Sequence, residues 1–237
     1  RIVTISIYLK QLKKFSNNCH SIFIYNLNQV QDVLVRKHGF SHVDAIKATE
    51  NFLISFRKCP ENPDFILHDW RRLLWKNSLG ENNNKILGDV YSQWFKFRYE
   101  YLSPDPDVVL LLKTLRKTYN LVLMSNGPSN SQWEKIKMLN LNDYFDLILV
   151  SGDLKFEKPD ERIFLKACCH FGVSEKECIM VGDKLETDIL GGIRARLGGT
   201  VWLPLPDFVY DSDTINNIVP DCIIYDFNEL KYYLGLC

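Results

Sequence analysis

Across 237 residues the chain is 46% hydrophobic and 24% charged, enough apolar side chain for a packed core and too little charge for a disordered polyelectrolyte. Lys plus Arg and Asp plus Glu both number 29, so no net field recruits nucleic acid or an anionic membrane surface. No segment approaches the about 18 uncharged apolar residues of a membrane span. Neither nucleic acid nor a membrane is expected as a partner.

In chain order, Ile2–Tyr8 is largely β-branched and predicts a first strand. The segment lacks an initiator Met and a small-residue cleavage site, and does not read as a signal peptide. From about 26 to 101 the periodicity is helical, as in Val43–Arg57, Phe65–Asn77 and Lys85–Tyr99, with 23–37 read as the first helix of this block. Asn62-Pro63 and residues 80–84 break it, and Ser103-Pro104-Asp105-Pro106 closes it. The expected organisation is an N-terminal segment 1–25, a helical cap 26–103 and an α/β core 104–237. The cap is expected over the carboxyl edge of the sheet, where open α/β folds place their sites. Arg57, Lys58, Arg71 and Arg72 stand near Trp70 and Trp75, and read either as a receptor for a substrate carboxylate or as a solvated face over aromatic core positions.

After residue 104, short β-rich runs alternate with helical patterns, which predicts a parallel α/β sheet. The strands are Asn120–Ser125, Leu147–Ser151, Cys178–Val181, Thr200–Trp202 and Cys222–Tyr225, with helices near 107–118, 130–139, 159–172, 185–197 and 226–234. The seven cysteines are odd in number and show no Cys-x-x-Cys spacing, so free thiols in a reducing, cytoplasmic compartment are expected. His38, His42, His68 and His170 lack ligand spacing, and no zinc site is expected.

Three strand-to-helix junctions carry chemistry. Ser125-Asn126-Gly127 offers a hydroxyl, an amide and a Gly-opened backbone to phosphate oxygens, although Asn-Gly-Pro is also turn chemistry. Lys158, ahead of Pro159, suits charge stabilisation on a phosphoryl group, or is a solvated surface lysine. Val181-Gly182-Asp183 through Asp188 places two carboxylates at a strand's end. They are Mg2+ ligands or supports, or a helix cap and a solvated first-turn acid.

In that order, Ser125, Lys158 and Asp183 resemble three of the four motifs of the haloacid dehalogenase superfamily. Leu123 through Gly127, Gln132-Trp133-Glu134-Lys135-Ile136, Tyr144-Phe145-Asp146, Glu157-Lys158-Pro159, Val181 through Asp188, Gly191-Gly192 and Thr200-Val201-Trp202 are similar to the N-acylneuraminate-9-phosphatase family within it. The resemblance covers about 31–205. It implies a Rossmann-like parallel sheet with an inserted helical cap, and a Mg2+-dependent phosphatase acting on a phosphorylated sugar acid, N-acetylneuraminate 9-phosphate, through an aspartyl-phosphate. It also implies that Ser125, Asn126 and Gly127 bind the phosphoryl oxygens, with Lys158 stabilising their charge. Asp183 would ligate Mg2+ and Asp188 would support the site.

The fourth motif, Asp-x-Asp-x-Thr at the first strand's tip, is missing. No Asp or Glu precedes Asp32. The tip reads Tyr8-Leu9-Lys10-Gln11-Leu12, where Lys10 could pair with Asp183 but cannot become an acyl phosphate. Asn26-Leu27-Asn28 imitates the motif with both acids amidated, but lies too close to Lys37-His38-Gly39-Phe40 and reads as helix. Three explanations stand: a wrong or alternative reading of the gene at the N-terminus, a phosphate-binding pseudophosphatase, or a different nucleophile. Without that acid the chain is not expected to hydrolyse phosphate esters by this route.

Overall fold

The computed structural model describes residues 1–6, 21–58, 66–205 and 217–236. It divides into a unit built from residues 1–19 and 102–237 and a second unit built from 20–101.

The first unit holds six parallel strands: β1 (Ile2–Ser6), β2 (Asn120–Ser125), β3 (Leu147–Val150), β4 (Cys178–Gly182), β5 (Gly199–Trp202) and β6 (Cys222–Ile223). Their order is β3-β2-β1-β4-β5-β6. Strands covered on both faces read as continuous apolar runs, as in Leu121-Val122-Leu123-Met124. β1 is central: Ile2 to Ile5 pair with Asn120 to Leu123 on one side, and Ile2 to Ser6 with Cys178 to Gly182 on the other. The strand order reverses at β1, and open sheets of this order bind ligands at the carboxyl ends beside that reversal. Below the tips, Ile2, Val122, Met124, Met180, Ile163 and Phe164 form a buried cluster that fixes the strands against a helix.

The connecting helices follow the sequence pattern closely over 106–171. The helix pattern at 226–234 is realised as a short 3-10 turn, Phe227–Glu229, and one turn of helix, Leu230–Tyr233. The run expected as helix over 185–197 differs more. It opens as a wide π turn, Leu185–Ile189, and only Leu190–Arg194 is α-helical. The cause is local, because the amides of Asp188 and Ile189 both reach the carbonyl of Lys184, which widens the turn and swings Asp188 inward.

The second unit is helical: α1 (Ser21–His38), α2 (His42–Phe56), α3 (Leu67–Leu79) and α4 (Leu87–Leu102), with a 3-10 segment at Glu81–Ile86. Asn26 lies inside α1, a helix residue as its spacing requires, and Ser41 caps α2 by accepting the amide of Asp44. The core is aromatic. Phe52 stacks on Trp75 with centroids 4.0 Å apart, and meets Trp94 edge-on at 5.1 Å. Of the four cations considered as one receptor, Arg71 is only 1% exposed and packs over Phe56 and Trp94, Arg72 lies over Tyr91, and Arg57 and Lys58 are exposed. Among the described residues no helix is long and apolar enough to cross a membrane.

Candidate active site

Lys158 and Asp188 form the centre of the site. The ammonium of Lys158 lies 2.9 Å from Asp188 Oδ1 and donates to the Met124 carbonyl at 3.0 Å, with both charged side chains almost fully buried. Lys158 is therefore not a surface lysine, and Asp188 is not a solvated first-turn acid. A buried ion pair keeps its place only with good geometry and further hydrogen bonds. Here the Lys184 amide donates to Asp188 Oδ2 at 3.1 Å and the Thr187 hydroxyl lies 3.4 Å from Oδ1. Gly182 makes room for this carboxylate. A Cβ at that position would sit 2.4 Å from Asp188 Cβ and 2.5 Å from its Oδ2.

The backbone of Lys158 is clamped from β2. Asn126 Nδ2 donates to the Lys158 carbonyl at 2.8 Å, and the Lys158 amide donates to Asn126 Oδ1 at 3.1 Å. Both ends of the Asn126 side chain are thereby engaged. The Asn126 side-chain amide is thus a strut joining two loops. The Lys158-Pro159 peptide is cis.

Ser125 ends β2 half-buried, its hydroxyl donating to Gln132 Oε1 at 3.0 Å. Gly127 has φ +128°, a backbone region that favours glycine, and its amide donates to Ser151 Oγ at 3.0 Å. Ser151 follows β3 and carries no sequence motif, so its role in holding this loop was not legible. A Cβ on its neighbour Gly152 would lie 2.3 Å from the Ser129 amide, so the two loops meet backbone to backbone.

Asp183 follows β4, is 3% exposed, and its carbonyl accepts the indole N–H of Trp202 at 2.9 Å. The residue before the π turn is Lys184, so Asp183 does not cap the following helix. It stands at the strand tip beside β1, whose last residue Ser6 is in register with Gly182. Lys10 lies outside the described residues.

A hard divalent cation takes several oxygen ligands, and Mg2+ commonly uses one or two carboxylates with substrate phosphate. Among the described residues no three His, Cys, Asp or Glu side chains form a group that could hold a metal ion. Asp188 is neutralised by Lys158, and no acid precedes Asp32 to bring a second carboxylate from β1. The donor set fits Mg2+ poorly.

A doubly wound parallel sheet that brings a hydroxyl, a buried lysine and two buried aspartates to its carboxyl edge is a ligand-binding α/β protein of the open-sheet class. The sequence profile of haloacid dehalogenase-like hydrolases matches residues 30–196, and the chain belongs to that family. It is 40% identical to N-acylneuraminate-9-phosphatase of Rattus norvegicus over 134 residues, 56% of this chain and 54% of that protein. It is 31% identical to a pyrimidine 5'-nucleotidase of Escherichia coli over 66% of this chain and 68% of that protein. The chain thus spans about half the length of the first of these relatives. In fold it is similar to a HAD phosphatase from Thermococcus onnurineus, with a TM-score of 0.58 at 24% identity over 99% of this chain and 98% of that one.

Proposed function

We propose that this chain recognises the phosphate group of a phosphorylated sugar acid, of the N-acetylneuraminate 9-phosphate class, and does not cleave it through an aspartyl-phosphate. One observation carries the reading. β1 occupies the central place between β2 and β4, and neither it nor any residue before Asp32 is an acid. An acyl phosphate forms only on a carboxylate, so this strand tip supplies no nucleophile for that route.

The phosphate-recognition side of the site is retained. Ser125 would donate its hydroxyl to a phosphoryl oxygen and Gly127 would keep the loop open. Lys158, held by Asp188 and Asn126, would balance the charge. Mg2+, the metal expected of the family, would rest on Asp183 and bind weakly, so recognition would depend on it little. A reducing cytoplasmic setting belongs to the same reading, on the odd cysteine count and the lack of Cys-x-x-Cys spacing.

A second reading, hydrolysis of the same ester, is favoured by the identity to the rat phosphatase. Purified protein offered N-acetylneuraminate 9-phosphate with Mg2+ separates the two. The expected result is calorimetric binding, lost in Lys158→Ala, with no phosphate release. Turnover that Asp183→Asn abolishes would establish hydrolysis and defeat the reading given first.

A further inference from the structure

Gln132 stands on α5 (Ser129–Met138), in the first turn after the Ser125-Asn126-Gly127 loop. Its Oε1 accepts from two donors, the Ser125 hydroxyl at 3.0 Å and Lys135 Nζ at 3.2 Å. Two donors facing one atom fix the orientation of the amide, since the flipped form would set its NH2 against an ammonium group. The other end, Nε2, lies where a Gly127 side chain would begin, 2.6 Å from the ideal Cβ position. The carboxamide therefore covers the loop from Ser125 to Gly127. A side chain at position 127 would require the Gln132 amide to move aside and would be strained by the backbone φ of +128°.

A serine hydroxyl has one proton. While Gln132 accepts that proton, Ser125 presents only lone pairs to anything else, and lone pairs repel a phosphoryl oxygen. Phosphate binding at Ser125 requires the hydroxyl to turn away from Gln132. The turn leaves Gln132 Oε1 with a partner, because Lys135 still donates to it, so that half-buried acceptor is not orphaned. Lys135 also keeps a positive charge next to the loop when the anion arrives.

We propose that Gln132, supported by Lys135, is a positioning residue that holds the Ser125 proton in the ligand-free state and yields it to a phosphoryl oxygen. The inference rests on the reading of Ser125 as a phosphate ligand. It adds a competing acceptor that sets the affinity of the site, and assigns Lys135 the task of making the exchange cheap.

The test is a double-mutant cycle read by phosphorus NMR titration of inorganic phosphate on the full chain at fixed ionic strength. Gln132→Glu, a charged acceptor that grips the hydroxyl harder, is expected to weaken phosphate binding about tenfold. In a Ser125→Ala background the same change should cost no more than about threefold, the remainder being direct charge repulsion. Gln132→Met, of similar length and without a strong acceptor, should leave affinity equal or raise it by up to about threefold. An equal loss from Gln132→Glu with and without the Ser125 hydroxyl, while the wild type still binds, overturns this inference alone. Absence of phosphate binding by the wild-type chain overturns both it and the proposed function.

Discussion

Lys158 in the sheet unit and Arg71 in the helical unit are both buried cations, 4% and 1% exposed, in different surroundings. Lys158 faces a carboxylate at 2.9 Å and a carbonyl at 3.0 Å. Arg71 lies over the rings of Phe56 and Trp94 at 6.0 and 5.8 Å, and Arg98 shares the same two rings at 5.2 and 5.6 Å. A guanidinium is weakly hydrated and stacks on aromatic faces, whereas an ammonium is strongly hydrated and needs discrete acceptors when buried. The first arrangement is costly, directional and aimed at strand tips. The second belongs to an aromatic core.

The largest expected effect tests the first half of that contrast. Lys158→Met leaves Asp188 buried without its counter-charge, and breaking such a pair is expected to cost about 3–5 kcal/mol of stability in urea unfolding. Lys158→Met combined with Asp188→Asn removes the stranded charge and should recover about 2 kcal/mol of that loss while still failing to bind phosphate ester. A single variant as stable as the wild type would show that the pair is not tightly coupled. Arg71→Met keeps an apolar stem of similar length, and loss of its ring stacking alone is expected to cost about 1–2 kcal/mol. If Arg71→Met proves as damaging as Lys158→Met, the distinction between the two modes of burial falls.

The parallel sheet was legible because continuous apolar runs such as Leu121 to Met124 have few other uses in a chain that alternates with helices. The β1 strand was legible for the same reason, from Ile2-Val3-Thr4-Ile5. The order Ser125, Lys158, Asp183 pointed to the site because motif spacing survives without knowledge of contacts. Burial separated the alternatives left open at Lys158 and Asp188, since a surface lysine and a buried one have the same sequence. The π turn at Leu185–Ile189 was hidden because its cause is two amides sharing the Lys184 carbonyl, a tertiary outcome on a helix-like pattern. Ser151 and Gln132 escaped notice as functional groups because their partners, Gly127 and Ser125, lie across a loop contact and a helix turn that residue types alone do not encode. Arg71 was ambiguous in sequence, since an amphipathic helix explains a cation beside tryptophan as well on its solvent face as in its core.

The smallest effect concerns a half-buried charge cluster of the helical unit. Asp89, in the first turn of α4, accepts from Lys37 Nζ and lies against His38 Nε2, each at 2.7 Å, joining the last turn of α1 to the first turn of α4. Cations near a helix C-terminus and an acid near an N-terminus also suit both helix dipoles. The Lys37 hydrogen bond, with a smaller contribution from His38, holds the Asp89 carboxyl below its ordinary value of 3.8 despite the opposing effect of burial. A depressed folded-state value means stabilisation that is complete above the unfolded value and lost as pH falls through the lower one. Melting temperature should therefore drop between pH 5 and pH 2 in the wild type, and by less in Asp89→Asn, which has no carboxylate to protonate there. Because Lys37 is 59% exposed, the difference should be at most about 1 kcal/mol and shrink as salt is raised. An identical pH dependence in both proteins would mean that this cluster contributes nothing, leaving the aromatic core to hold α1 and α4 together.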